Sequence, residues 1–212
     1  MENIIKNENL TKITTSLIEI GVDSIMEDGL LKDIPLIGSI VNGIKLTKSI
    51  SDRILLKKII TFLNRVKDVP NEKRLKMISD IYSNKEFSIK IGEQIIYLLD
   101  KADDHNKAQI IGKLFKAFLD GNFSYLEFLK SGESINKIFI QDLSFLQSTS
   151  NNTFPGNSEN SLKYSHFYSI KFKLSEGRIK AINSIPLKEN GISEITYEIT
   201  DLGLKVRKAI FE

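Results

Sequence analysis

The sequence predicts a mainly α protein, a multi-helix bundle that ends in a small winged-helix-like α/β module. Two observations support this fold class. Apolar residues recur at steps of three and four over most of the first 147 residues, which is the spacing of one helix face. After residue 168 the period changes to two, which is typical of strands. We therefore expect a helical bundle over residues 1–147, a flexible polar loop over 148–160 and the winged-helix-like module over 161–212.

Composition and charge narrow the class of protein. The chain has 212 residues, of which 41% are hydrophobic and 27% charged, as in soluble globular proteins. Its formal net charge of +3 is too small for a protein that coats nucleic acid. Cysteine is absent, which excludes a disulfide framework, a thiol nucleophile and a thiolate metal site. These features favour a cytoplasmic protein.

The stretch from Asp33 to Lys67 is the most unusual part of the chain. Asp33 followed by Pro35 is typical of a helix start. The apolar run from Ile34 to Ile44 has about half the roughly 20 residues that a membrane-spanning helix needs. Beyond Arg53, apolar residues fall on one helix face and basic residues on the other, so the stretch predicts one long, increasingly basic amphipathic helix.

Three interpretations of this basic helix stay open. It can be a core helix with solvated lysines, a segment that contacts an anionic membrane surface or a protein partner, or a nucleic-acid contact. In the second interpretation the contact residues are Ile37, Gly38, Ile40, Val41, Gly43, Lys45, Lys48, Arg53, Lys57, Lys58 and Arg65.

The other helices of the bundle have recognisable starts and ends. Residues 10–26 form an amphipathic helix, and asparagines at 71 and 84 are candidate caps for two more. Asp103 and Asp104 begin a further helix, which ends at Gly121. Ser124 and Glu127 have the spacing of a capping box. We expect the helix that this box opens to continue as far as Leu146, with a bend at Gly132.

The C-terminal part predicts a helix, a hairpin and a last helix. Ser161 to Tyr168 is a short predicted helix, and alternation predicts strands at Ile170–Leu174 and Ile195–Ile199. Residues 179–185 form a further predicted strand, followed by a turn over 186–193. Thr200 or Asp201 then caps the last helix.

The segment Tyr197 to Lys205 resembles the closing strand and helix of winged-helix domains. In that arrangement Ser161 to Tyr168 would be the recognition helix, with Lys163, His166, Lys171 and Lys173 as the nucleic-acid contacts. The short helix has no Arg, Asn or Gln near its start to bind base edges. We therefore favour a winged helix that packs or contacts a partner over one that reads DNA.

The sequence contains no recognisable set of catalytic, metal-binding or phosphate-binding residues. His105 and His166 are the two histidines, and neither has a catalytic partner at a known spacing. The segment that begins at Asp120 has Tyr125 and Ser131 where a calcium loop needs glycine and glutamate. Gly38 and Gly43 do not form a phosphate-binding loop. The sequence therefore predicts a protein without enzymatic activity, bound cofactor or metal.

Two short strings, Ile34 to Val41 and Ile199 to Gly203, resemble those of small helical bacterial proteins of the abortive-infection alpha type, as does the helical middle of the chain. The resemblance implies a role in phage defence and supplies no catalytic residues. We expect a non-enzymatic defence or toxin-like protein, cytoplasmic or peripheral at the inner membrane face. Its basic helix would contact an anionic membrane surface or a protein partner. A winged-helix nucleic-acid-binding regulator is the alternative, and a homo-oligomer stays open.

Overall fold

The computed structural model describes residues 34, 37–45, 49–74, 76, 85–174, 178–182, 185–189 and 192–212. This part is mainly helical, with a small antiparallel sheet near the C-terminus, which confirms the predicted fold class. The chain divides into two compact units, Met1–Gly132 and Glu133–Glu212. The helix predicted over residues 10–26, most of the helix predicted to begin after Asn71, and the candidate cap Asn84 lie outside the described residues.

The stretch predicted as one long helix contains two helices. Ser49 has an extended backbone, and its side chain accepts a hydrogen bond from the Asp52 N–H, so the second helix has its own N-cap. The helices of the first unit whose bounds lie within the described residues are α1 (Ile37–Lys45), α2 (Ile50–Val66), α3 (Lys85–Lys101), α4 (His105–Leu119) and α5 (Tyr125–Lys137), of which α5 extends into the second unit.

Local capping follows the predictions closely. The Asp104 carboxylate accepts a hydrogen bond of 2.7 Å from the Asn106 N–H at the start of α4. Ser124 and Glu127 form the capping box, since each side chain accepts from the other residue's N–H, at 3.3 and 2.8 Å. Gly121 has a φ of 79°, the left-handed conformation that ends α4.

The first unit is built around a cluster of aromatic rings. Phe115 of α4 lies 5.4 Å from Phe62 of α2 and 5.3 Å from Phe128 of α5, measured between ring centroids. Phe118 stacks on Phe128 at 5.9 Å. Such ring pairs stabilise a core beyond the area that they bury. Phe115, Phe118 and Phe128 are all buried.

Helix α5 ends earlier than predicted and continues through Gly132 without interruption. A Cβ at Gly132 would lie 2.7 Å from a methyl group of Leu98, so the glycine permits close packing. The break comes at Phe139, whose backbone is extended and whose N–H donates to the Ser161 hydroxyl at 2.9 Å. A 3-10 turn (Ile140–Asp142) and the short helix α6 (Leu143–Gln147) follow.

The strands differ from the predictions in their pairing. Three of them form an antiparallel sheet in the order β1-β5-β2, while β3 and β4 pair separately. Their bounds are β1 (Thr153–Pro155), β2 (Tyr168–Leu174), β3 (Arg178–Ile182), β4 (Ile185–Glu189) and β5 (Ile192–Ile199). Strand β4 therefore covers the first part of the segment predicted as a turn over 186–193, and the segment predicted as a polar loop contains β1.

Aromatic residues on one face of the sheet form part of the core of the second unit. Phe154 of β1 is opposite Tyr197 of β5, and their rings stack with centroids 5.1 Å apart. Phe154 also lies 4.9 Å from the Tyr168 ring. Helix α7 (Asp201–Phe211) follows β5, and the Thr200 hydroxyl caps it by accepting from the Gly203 N–H at 3.0 Å.

The short helix predicted over Ser161 to Tyr168 is not formed. The structure has a 3-10 turn from Ser161 to Tyr164, and the strand β2 already begins at Tyr168. Ser161 and Leu162 are buried, and the Ser161 hydroxyl donates to the Asp142 carboxylate at 2.5 Å. The element that would read DNA in a winged helix is therefore a turn anchored within its own unit.

Candidate functional site

The apolar run of α1 is mainly part of the core. Ile37 and Val41 are buried, so they are not surface contacts as predicted. Gly38 and Ile40 are half-buried, and Gly43 is exposed, with no atom within 4 Å of the position that a Cβ would take. Helical spacing explains this outcome, because residues 37, 41 and 44 share one face of α1 and that face is inside.

Among the predicted basic contacts, Lys58 belongs to the core as well. It is buried, and its Nζ donates to the backbone carbonyl of Asp100 at 3.1 Å, in the last turn of α3. A lysine in this place neutralises the negative end of the helix dipole. Its role is therefore structural, which corrects the prediction. The Lys45 side chain and all of Lys48 lie outside the described residues.

Arg65 is exposed on the flank of α2 that faces α4. With the Gln109 amide oxygen turned toward it, Arg65 donates from Nε at 3.0 Å and from Nη2. Burial lowers the pKa of Lys113 below its ordinary 10.5, and the Arg65 guanidinium lowers it further. Arg65 and Lys113 are therefore two cations within electrostatic range of each other.

Two isoleucines that the sequence analysis did not single out lie on the surface beside the predicted cations. Ile50 exposes 77% of its surface and Ile54 exposes 52%. Arg53 is half-buried and Lys57 is exposed. These four residues, separated by steps of three and four, share one side of the helix and are called the outer face of α2 below. The sequence pattern could have predicted the exposure of these two isoleucines, because Ile50 and Ile54 cannot share a helix face with the buried Ile59 and Leu63.

The cations of this face are not neutralised by neighbouring acids in the part of the chain that the structure describes. Among those residues no carboxylate oxygen lies within 4.0 Å of the charged groups of Arg53 or Lys57. The outer face of α2 thus combines exposed aliphatic side chains with positive charge. This combination is typical of a surface that binds an anionic, partly apolar partner.

The four residues of the nucleic-acid alternative make contacts within the second unit. Lys163 Nζ donates to the Ser158 carbonyl at 3.2 Å and lies 5.1 Å from the centre of the Tyr164 ring. Lys171 lies 3.5 Å from Glu198 and Lys173 lies 3.9 Å from Glu194, as ion pairs across strands. His166 Nδ1 is 3.0 Å from the Ser134 hydroxyl.

Ser134 and His166 are as close as a catalytic nucleophile and its base, but the serine hydroxyl is not accessible to a substrate. The Ser134 side chain is fully buried and also accepts a hydrogen bond of 2.9 Å from the His166 N–H. A substrate cannot reach a hydroxyl in this position, so the pair fastens the turn around His166 to α5. His105 is exposed at the start of α4.

The residues that the structure describes contain neither a group of metal ligands nor a membrane-spanning helix. No three histidine, aspartate or glutamate side chains there are grouped as metal ligands. No helix within the same ranges combines the length and the apolar character that crossing a bilayer requires.

Comparison with known proteins found no relative: no protein-family model, no curated protein and no solved structure matches the chain.

Proposed function

We propose that this protein acts without catalysis, by binding an anionic membrane surface through the outer face of α2. The observation that carries the proposal is the exposure of Ile50 and Ile54, one turn apart, on the same side of the helix as the cations Arg53 and Lys57. Aliphatic side chains enter the boundary between headgroups and acyl chains, while the cations contact lipid phosphates. A helix of 17 residues, about 25 Å long, can lie along the surface in this way.

A membrane surface fits this face better than a protein partner does. Protein interfaces favour aromatic residues and arginine at the centre of the contact, whereas this face offers two isoleucines, one lysine and one arginine. Each basic residue near an anionic leaflet contributes about 1 kcal/mol of binding. Binding of a protein through the same face is the competing outcome, which the experiment below separates.

Co-sedimentation with vesicles tests the proposal. The chain should bind vesicles that contain phosphatidylglycerol and not vesicles of phosphatidylcholine alone. Exchange of Arg53 and Lys57 for glutamine should weaken binding by about 2 kcal/mol, roughly thirtyfold. Ile54→Glu should weaken it as well, since the carboxylate repels the lipid phosphates and the aliphatic contact is lost. Lys137→Gln together with Lys208→Gln, two exposed lysines of the second unit, is the charge-matched control.

Equal binding of the wild type and of both outer-face variants would contradict the proposal. If neither vesicle type binds the wild type, a protein partner becomes the better explanation of the exposed face.

The biological setting that we propose is phage defence, on the basis of the abortive-infection resemblance. Expression of the chain in a phage-sensitive bacterium should lower the number of plaques. Ile54→Glu should restore plaque formation without changing the amount of folded protein. Protection that survives loss of vesicle binding would separate the defence role from the membrane contact.

A further inference from the structure

Helix α4 reaches solvent along one narrow strip. Ten of its fifteen residues are buried, including the charged Lys107, whose Nζ lies 2.8 Å from the Asp103 carboxylate. Within the helix beyond its first turn, the residues that are not buried are Gln109, Lys113 and Lys116, separated by four and three positions. A helix that exposes only polar and basic side chains along one strip offers hydrogen-bond donors and positive charge there.

Arg65 of α2 is held against this strip by the packing of the two helices. A Cβ at Gly112 would lie 2.8 Å from the Phe62 carbonyl oxygen and 2.9 Å from the Arg65 Cβ. Both distances are shorter than side-chain contacts normally allow, so only glycine permits the two backbones to come this close. The stem of Arg65 therefore lies across Gly112, next to Lys113 in the chain.

Gln109 fixes the direction of the Arg65 guanidinium. Its amide oxygen accepts from Nε and Nη2, which occupies one edge of the guanidinium and leaves Nη1 as a donor. The same orientation turns the NH₂ group of Gln109 away from Arg65. The cluster therefore combines guanidinium, amide and ammonium donors on two adjacent helices.

The charges of the cluster favour an anion. Within the described ranges no carboxylate oxygen lies within 4.0 Å of the Arg65 guanidinium. Burial and Arg65 together lower the pKa of Lys113, which shows that the folded chain holds the second charge at a cost. An anion that contacts both groups removes their mutual repulsion and replaces part of the lost hydration.

We propose that Arg65 and Lys113, supported by Gln109, bind a phosphate group on the flank of α2. Phosphate fits better than carboxylate, because a guanidinium beside an ammonium matches its charge of about −1.5 to −2 and its several acceptor oxygens. The phosphate can come from a lipid headgroup or from a soluble compound. The site goes beyond the proposed membrane contact, since it uses neither Ile50 nor Ile54.

Titration of the full-length chain with inorganic phosphate at constant ionic strength tests this site. Followed by NMR, the pKa of Lys113 should rise toward 10.5 as phosphate binds, and the amide signals around Gly112 should shift and saturate. Arg65→Gln and Lys113→Gln should each weaken binding about tenfold. Arg65→Lys, which keeps the charge and loses the guanidinium, should give an intermediate affinity.

Lys67→Gln is the matched control, since it removes one charge from the exposed residue that directly follows α2 and should bind phosphate like the wild type. Two results would overturn the site: no saturable response of the wild type to phosphate, or unchanged phosphate affinity in a folded Lys113→Gln chain. An equal loss in Lys67→Gln would also overturn it, because the attraction would then be unspecific.

Vesicles distinguish the two sources of phosphate. If Arg65→Gln weakens binding to phosphatidic acid, a monoester, more than binding to phosphatidylglycerol, a diester, the ligand is a lipid headgroup. If it weakens binding of inorganic phosphate and changes neither vesicle type, the ligand is soluble. Ile54→Glu should leave binding of inorganic phosphate unchanged, so failure of the membrane contact and failure of this site give different results.

Discussion

Arg207 is a buried cation whose hydrogen bonds go to uncharged oxygens. It exposes 6% of its surface and donates to the Leu146 carbonyl at 2.7 Å, to the Asn152 side-chain oxygen at 3.0 Å and to the Asn151 carbonyl at 3.4 Å. The Leu146 carbonyl belongs to the end of α6, where a positive charge is favourable. One side chain of α7 thus donates hydrogen bonds both to the end of α6 and to the segment before β1.

Replacement of Arg207 should destabilise the protein strongly. Arg207→Met removes three hydrogen bonds, among them the buried one to the Leu146 carbonyl, so we expect a loss of about 2–4 kcal/mol in the free energy of unfolding. Lys208→Met removes the same charge from an exposed neighbour and should stay within about 0.5 kcal/mol of the wild type. Urea denaturation measures both, and equal values for the two variants would contradict the role given to Arg207.

Lys113 gives a pH dependence of known sign. Its pKa in the folded state is below 10.5, so the charged lysine costs stability at neutral pH, and the cost fades as pH rises from the lowered pKa to 10.5. In phosphate-free buffer, Lys113→Met should raise the free energy of unfolding at pH 7 by less than about 1 kcal/mol. The gain should shrink as pH rises through the lowered pKa of Lys113 toward 10.5. It should also be smaller in an Arg65→Gln background, and a gain that grows with pH would contradict the assignment.

At the scale of elements, a close approach of two backbones explains the glycine in the string from Ile199 to Gly203. Gly203 follows the Thr200 cap of α7, and a Cβ there would collide with the Phe167 carbonyl oxygen and lie 2.7 Å from Ile199 Cγ1. Thr200 and Gly203 therefore act together. The threonine caps the start of α7, and the glycine lets α7 pack against the backbone that precedes β2.

Gly203→Ala should disrupt this contact. We expect a loss of about 1–3 kcal/mol, because the clash involves a backbone carbonyl that cannot rotate away. Gly43→Ala is the control, since Gly43 is an exposed helical glycine with open space around it and alanine should stabilise α1 by up to about 1 kcal/mol. Thermal unfolding of the two variants should therefore shift in opposite directions.

Elements with local signals were predictable, and those fixed by distant contacts were not. The Ser124 and Glu127 capping box, the Asp104 cap and the Gly121 terminus involve neighbours in sequence. The end of α5 depends on a hydrogen bond from Phe139 to a serine 22 residues away, which no periodicity reveals. Strand β1 is three residues long and buries one of them, so it carries no period of two.

The candidate site was predictable in part for the same reason. Arg53 and Lys57 follow from the charge pattern of an amphipathic helix, and the structure leaves both on or near the surface. Lys58 is adjacent to them in sequence, but its position at the edge of the polar face brings it to the end of α3. The apolar half of the site was assigned to α1, because burial of Ile37 and Val41 depends on packing that the pattern does not specify.

At the scale of the whole molecule, the small net charge of +3 means that attraction to an anionic surface has to come from a local cluster. Arg53→Glu with Lys57→Glu changes the net charge from +3 to −1, and so does Lys137→Glu with Lys208→Glu. The first pair should abolish binding to phosphatidylglycerol vesicles, whereas the second should reduce it only slightly.

Salt should weaken this binding without removing it. The screening length is about 10 Å at 0.1 M salt and about 3 Å at 1 M, so the contribution of Arg53 and Lys57 falls as salt is added. The contact of Ile50 and Ile54 with the acyl boundary does not depend on charge. In co-sedimentation, the wild type should retain some binding at 1 M salt, and Ile54→Glu should retain none. Salt-independent binding would exclude the role of the two cations.

The enclosure of α4 has a consequence for how the first unit can be observed. Amide hydrogens of a helix covered on nearly every side exchange with deuterium only when the surrounding helices separate. The exchange rate of the α4 backbone therefore measures the opening of the Met1–Gly132 unit. A compound that binds across Arg65 and Lys113 would tie α2 to α4 and slow that exchange, even where it changes no other property of the chain.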